Sequence, residues 1–246
     1  MLDVKNTDRQ AGQVAVLCGG RGRRLRPATD TIPKALVKLN GRPILDYVID
    51  FYRSKQLSQF ILCVGYKADK VREHYATPPP GVEILFSDAG ENASMLKRIW
   101  ALQDFSWERL FVSYSDTFID LNLDHMLATH QERQAEVTIV TARIRNPFGL
   151  VTSNSEGWVT SFVEKPLLNY YIGSFILERS ALAYVTADML QSPDGQGLVD
   201  FFGILAGHQK LAAFEHRGLQ ITFNTESERQ KAEKDMGRFY TYSEEA

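Results

Sequence analysis

Short apolar runs separated by helix-period segments constrain this chain more than any other feature of its sequence. Val14 to Cys18 is continuously apolar and runs into Gly19-Gly20, the pattern of a strand buried on both faces in a helix-covered parallel sheet. Ile44, Leu45, Val48, Ile49 and Tyr52 then recur at helical spacing behind Pro43, a residue favoured in a first helical turn. Phe60 to Val64 supplies the next strand, Ala68 to Tyr75 a helix, and Pro78-Pro79-Pro80-Gly81 a stiff turn before a strand over Val82 to Phe86. Ala93 to Leu102 reads as helix, Leu110 to Tyr114 as a fourth strand ending at Ser115-Asp116, and Leu123 to Arg133 as the helix behind it. The alternation predicts an α/β chain with a largely parallel sheet.

Beyond Glu136 the segments shorten. Strands are expected at Val137 to Ala142, Gly149 to Thr152, Trp158 to Val163 and Tyr171 to Leu177, with helices at Ser180 to Leu190, Val199 to Ala206 and from Glu226. The second half is therefore expected to complete a mixed sheet and to shape a second pocket wall. No repeat, low-complexity linker or hinge interrupts the chain, so residues 13–246 are expected to form one domain with two lobes, about 13–135 and 136–246, behind a lead-in over 1–12. A length of 246 residues suffices to bury a substantial core.

Charge and cysteine usage exclude several classes. The formal net charge of −2 provides no field to track a nucleic-acid backbone. The longest apolar runs are strand-sized, far below the roughly 20 residues that span a bilayer, so no membrane span is expected. Met1 to Gln10 carries Asp3, Lys5, Asp8 and Arg9 where a secretory signal needs an apolar stretch. Cys18 and Cys63 sit inside strand patterns without C-x-x-C spacing, which points to packing and a reducing, cytoplasmic setting.

The first strand leads into Gly19-Gly20-Arg21-Gly22-Arg23-Arg24-Leu25-Arg26-Pro27, followed by Pro33-Lys34. Ligands of α/β sheets bind at the C-terminal ends of strands, and glycines let backbone N–H groups approach phosphate. Four arginines and Lys34 fall within fourteen positions, and a triphosphate carries about three to four negative charges that guanidinium forks suit. The alternative is a solvated basic turn, against which its place behind the first strand argues. Two other nucleotide loops fail on spacing: no Lys-Ser/Thr pair follows Gly22, as Walker A demands, and after Gly20-Arg21-Gly22 and two further residues comes Leu25 rather than the third glycine of a Rossmann fingerprint.

The stretch Gly19 to Thr29 with Pro33-Lys34 resembles the signature G-G-x-G-T-R-L-x-P-x-T…P-K of the sugar-phosphate nucleotidyltransferases, with Arg23 in the threonine position. The likeness continues through Gly41-Arg42-Pro43-Ile44-Leu45, Glu164-Lys165-Pro166, Tyr171-Ile172-Gly173-Ser174-Phe175 and Phe223-Asn224-Thr225. Phe60 to Lys67 and Phe214 to Gly218 look most like the glucose-1-phosphate cytidylyltransferase branch. The resemblance implies a Rossmann-like three-layer α/β/α sandwich, with a nucleotide lobe followed by an acceptor lobe. The implied activity is transfer of a nucleoside monophosphate from an NTP, CTP being favoured, to a phosphorylated small metabolite such as a sugar 1-phosphate, releasing pyrophosphate. A homo-oligomer stays open.

Residue by residue, the resemblance implies that Arg24 and Lys34 meet the triphosphate and that Leu17, Gly19, Gly20, Arg21, Gly22, Arg23 and Gly90 surround the nucleotide. It assigns Lys165 to the acceptor's phosphate, with Glu164, Gly149 and Gly173 around the acceptor. Asp116 and Asn224 take the places of metal-binding aspartates, for Mg²⁺. Turn or cap roles for Asp116 and Asn224, and a surface turn at Glu164-Lys165-Pro166, are the bland alternatives. This chain departs from the family at Tyr171, where an asparagine is usual, and over Asp88 to Ser94, where a glycine-threonine-rich turn is usual. A non-sugar phosphate or phosphonate acceptor, a non-catalytic nucleotide-sugar sensor and a structural subunit of a larger assembly therefore stay open.

Overall fold

The computed structural model describes residues 12–244, with side chains described as far as Met236. The expected lead-in lies outside the described residues, except for Gly12, which opens the first strand.

The chain runs through β1 (Gly12–Leu17), β2 (Lys38–Leu39), β3 (Arg42–Pro43), α1 (Ile44–Ser54), β4 (Gln59–Val64), α2 (Ala68–His74), β5 (Glu83–Asp88) and α3 (Met95–Trp100). There follow β6 (Arg109–Tyr114), β7 (Thr117–Ile119), α4 (Leu123–Arg133), β8 (Val137–Arg145), β9 (Leu150–Ser153), β10 (Val159–Val163) and β11 (Leu167–Glu178). The described residues end with α5 (Ala187–Gln191), α6 (Gln196–Gly207), β12 (Leu211–His216), β13 (Gln220–Thr222) and α7 (Glu226–Glu244).

The main sheet has seven strands in the order β12-β8-β11-β6-β1-β4-β5. All neighbours pair in parallel except β11, which is antiparallel to both β6 and β8. Alternation along each central strand serves two cores. Val14 and Val16 of β1, with Phe60 and Leu62 of β4, pack against α1, α2, α4 and α7, whereas Ala15, Ile61 and Cys63 pack against α3, α5 and α6. The result is a three-layer α/β/α sandwich of Rossmann-like kind, as the sequence resemblance implies. Two-sided burial is why these strands read as continuous apolar runs rather than alternating ones.

Local chemistry sets the helix boundaries. Ser94 accepts the Lys97 N–H at 3.3 Å and so starts α3 at Met95 rather than Ala93. The single helix expected over Ser180 to Leu190 is instead a 3₁₀ turn at Arg179–Tyr184 followed by α5. The break has a cause: Val185 and Thr186 are extended, and the Thr186 hydroxyl caps a new helix by accepting the Met189 N–H at 3.3 Å. The sequence patterns predict neither the six-residue β12 nor the pair β7–β13, whose three-residue strands carry too few positions for a period.

At the end of the sheet where β6 begins, buried His130 of α4 contacts Thr138 at 2.7 Å and Glu178 at 2.8 Å, and Arg109 also donates to Glu178. Burial raises the Glu178 pKa, but hydrogen bonds from His130 and Arg109 outweigh it and hold this carboxyl below its usual range. The network ties α4 to β6, β8 and β11 at the end of the sheet opposite the C-terminal ends of β1 and β6.

Candidate active site

Strand order reverses at β1, which has β4 and β5 on one side and β6 on the other. Such a reversal splays the connections at the strands' C-terminal ends and opens a crevice there. An open cleft of about 840 Å³ occupies that place.

The loop leaving β1 forms one wall. A 3₁₀ turn over Arg23–Leu25 buries Leu25 and leaves Arg23 and Arg24 exposed. Leu17, Gly19, Gly20 and Gly22 line the cleft, as do Arg21, Arg23 and Arg24. Arg26 does not line it and pairs instead with Asp30 at 3.1 Å. Arg21 reaches across the mouth to Glu91 at 2.9 Å and donates to Asn92 at 3.1 Å, bridging the β1 loop to the segment between β5 and α3.

The second wall carries the charged centre. Asp116 stands between β6 and β7, directly before Thr117, and Asn224 stands just beyond β13, and the antiparallel pairing Thr117↔Thr222 brings the two together. Phe223, fully buried, anchors the second of these. Lys34 donates to the Asp116 carboxylate and, at 3.2 Å, to the Asn224 amide oxygen, which also accepts from Arg24 at 2.8 Å. An acid and an amide oxygen thus converge on one cation, here the Lys34 ammonium. Among the described residues no group of three or more His, Cys, Asp or Glu could hold a metal ion. A hard cation at this point would take Asp116 and Asn224 from the protein and need further oxygens from a ligand.

Gly173 lines the far side of the cleft with Tyr114 and Tyr171. Tyr171 donates to the Tyr114 hydroxyl at 3.3 Å, with the rings edge to face at 6.2 Å. Burial pushes the Tyr114 phenol up to about 12 and Tyr171 well above its ordinary value, so both are neutral hydrogen-bonding groups at neutral pH.

Four expected residues do not line the cleft. Gly90 sits one residue before Glu91, and Gly149, Glu164 and Lys165 flank the β9–β10 hairpin. Both hairpin strands are exposed along their length, and the Lys165 ammonium lies 3.5 Å from Glu164. The backbone at Lys165 is left-handed, with φ 43°, and its carbonyl accepts from Arg145 at 3.2 Å.

Residues 13–219 match the family described as nucleotidyl transferase. The chain belongs to the nucleotidyl transferase family. A Bacillus subtilis (strain 168) protein named "Probable glucose-1-phosphate cytidylyltransferase" is 26% identical over 237 residues, covering 87% of this chain and 91% of that protein. The mannose-1-phosphate guanylyltransferase catalytic subunit beta of Drosophila pseudoobscura pseudoobscura is 32% identical over 158 residues, which is 61% of this chain and 43% of that longer protein. In fold, the UDP-glucose pyrophosphorylase structure from Acinetobacter baumanii superposes with a TM-score of 0.68 at 18% identity, covering 90% of this chain and 92% of the other.

As a nucleotidyltransferase, the chain places its glycine-arginine loop, Lys34 and Asp116 around one cleft. Sequence reasoning missed Tyr114, Arg98 and Asp194, which also line it. A signal existed for Arg98: it stands four residues from both Ser94 and Leu102 within an expected helix, on the face that packs inward. Asp194 carried none, because only its bond to the Met95 N–H, at 3.0 Å across 99 residues, brings it to the cleft.

Proposed function

We propose that this nucleotidyltransferase moves a nucleoside monophosphate from an NTP, with CTP favoured, onto a sugar 1-phosphate. The observation that carries the reading is the convergence of Arg24, Lys34, Asp116 and Asn224 beside the Gly19-Gly20 loop in one cleft. An acceptor phosphate oxygen attacks the α-phosphorus in line, the bond to the α,β-bridging oxygen breaks, and pyrophosphate leaves with that electron pair. The nucleophile is already anionic, so the protein's work is alignment and charge neutralisation rather than general-base catalysis. Arg24 and Lys34 neutralise the triphosphate, and the loop's backbone N–H groups fix it. Mg²⁺, held by Asp116 and Asn224 with phosphate oxygens, would supply further charge stabilisation. On this reading residues 13–135 form the nucleotide lobe and 136–246 the acceptor lobe of one domain. Two free, buried cysteines support a reducing, cytoplasmic setting, and among the described residues no helix is long and apolar enough to cross a membrane.

The test is pyrophosphate release over four NTPs crossed with a panel of sugar 1-phosphates, phospho-alcohols and phosphonates. Fastest turnover with CTP and a sugar 1-phosphate is expected, and faster turnover with GTP, UTP or dTTP would overturn the base assignment. Tyr171 in the cleft wall, where the resemblance leads one to expect an asparagine, favours a non-sugar phosphate as the second reading. Nucleotide binding without pyrophosphate release from any pair would leave a sensor.

Two substitutions probe the assigned roles. Lys165→Ala is expected to lower turnover by about 10²-fold while leaving NTP affinity unchanged, because the resemblance assigns Lys165 to the acceptor although it stands beside the hairpin, outside the cleft lining. A matching loss of NTP affinity would remove that assignment. Asn224→Asp adds a carboxylate where an amide oxygen now stands, and a hard cation binds carboxylate more tightly. The Mg²⁺ concentration for half-maximal rate is expected to fall. Superimposable Mg²⁺ titrations would reduce Asn224 to a structural residue before α7, where its N–H donates to Glu228 at 2.6 Å and Thr225 caps the helix by accepting the Glu228 N–H at 3.3 Å.

A further inference from the structure

Arg98 is a buried cation beneath the phosphate-facing loop. It is 5% exposed, and its guanidinium is spent on backbone carbonyls from three separate connections. It donates to Val64 at the end of β4, to Gly19 at 3.1 Å and to Glu91 at 3.4 Å. A Cβ at Gly19 or Gly65 would collide with the guanidinium where it now sits, and at Gly19 it would also meet the Val64 carbonyl at 2.7 Å. The Gly19 carbonyl also accepts the Tyr66 N–H at 3.0 Å, so the first residue of the loop is held from two sides.

Among the described residues every hydrogen bond of the guanidinium runs to a carbonyl; Asp194 and Asp88 act on it only through space, and burial lowers its pKa. The neighbouring thiols of Cys18 and Cys63 are pushed above their ordinary range by burial, so they stay neutral and do not offset the charge. The three carbonyl bonds brace the loops, but carbonyls are dipoles and leave the net positive charge in place at a cost in desolvation. That remaining charge suits an anion in the cleft that Arg98 lines.

We infer that Arg98 is a positioning residue for phosphate: it locks the Gly19, Val64-Gly65 and Glu91 segments into one phosphate cradle, and its uncompensated charge backs that cradle. The inference rests on the nucleotide reading of the cleft. It differs from the roles of Arg24 and Lys34 in that Arg98 acts through the loop backbone from behind.

The test measures binding of inorganic pyrophosphate and of the four nucleosides to the full chain and to Arg98→Lys and Arg98→Met, with thermal melts alongside. Arg98→Met, which removes the charge, is expected to weaken pyrophosphate binding about 30-fold, as follows from a unit charge several ångströms away at intermediate dielectric. Arg98→Lys keeps the charge but not the fork and is expected to recover most of that loss. Nucleoside binding is expected to change less than about threefold in both. Equal weakening of pyrophosphate and nucleoside would show a merely structural brace and overturn the inference, as would unchanged pyrophosphate binding. Should Arg98→Met fail to fold, pyrophosphate affinity of Arg98→Lys as low as that of Arg24→Ala would overturn it. Failure of the wild-type chain to bind any NTP would instead remove the nucleotide reading, and this inference with it.

Discussion

Asp116→Ala is expected to lower kcat by about 10³-fold, the scale of the several kcal/mol that a catalytic cation and its ligand contribute to a phosphoryl transition state. Asp116 is the carboxylate that pairs with Lys34, and both side chains are largely shielded, at 22% and 12% exposed. Removing it deletes the single anionic oxygen donor at the point where Asp116 and Asn224 converge and frees the Lys34 ammonium to swing toward Asn224 alone. Asp116→Asn separates charge from shape, since the amide preserves volume and an acceptor oxygen but not the negative charge. Single-turnover kinetics across a Mg²⁺ series reads the effect. Turnover of Asp116→Ala within tenfold of wild type would remove Asp116 from the reaction.

Arg24→Ala is expected to cost about 10²- to 10³-fold in kcat/KM for the NTP, the size measured for loss of one preorganised donor to developing charge. Because Arg24 is exposed and makes one hydrogen bond, at 2.8 Å to Asn224, its removal is expected to shift the melting temperature by no more than about 2 °C. The contrast between a large kinetic and a small thermal effect is diagnostic. A variant that retained wild-type kcat/KM would detach the loop from the triphosphate. Arg24→Lys is expected to recover only part of the loss, since a point charge replaces a planar fork.

The two sets of residues were legible to different degrees. Residues of the β1 loop are contiguous, so its glycines and arginines with Lys34 pointed to a candidate phosphate site, and the structure brings all of them but Arg26 to one cleft. Gly149, Glu164 and Lys165 were reached through resemblance, and they stand on or beside an exposed hairpin outside the cleft lining. Arg98 was overlooked because an arginine in a short helix ordinarily faces solvent. Its spacing from Leu102 could place it on the inward face, but its approach to Gly19 and Gly65, 79 and 33 positions away, is seen only in the packing.

By itself the sequence determined the layered architecture and the chemistry of the first loop. Both are encoded locally: two-sided burial writes continuous apolar runs, helical burial writes a 3.6-residue period, and the first loop shows its character as contiguous glycines and arginines at a strand's end. Tertiary structure alone decided which distant residues meet. Strand β11 runs against its neighbours, and the β7–β13 pair sets Asn224 beside Asp116 across 108 positions. The physical reason is that strand pairing and side-chain convergence depend on long-range register, which three-residue strands and isolated polar side chains leave no periodic trace of in the sequence.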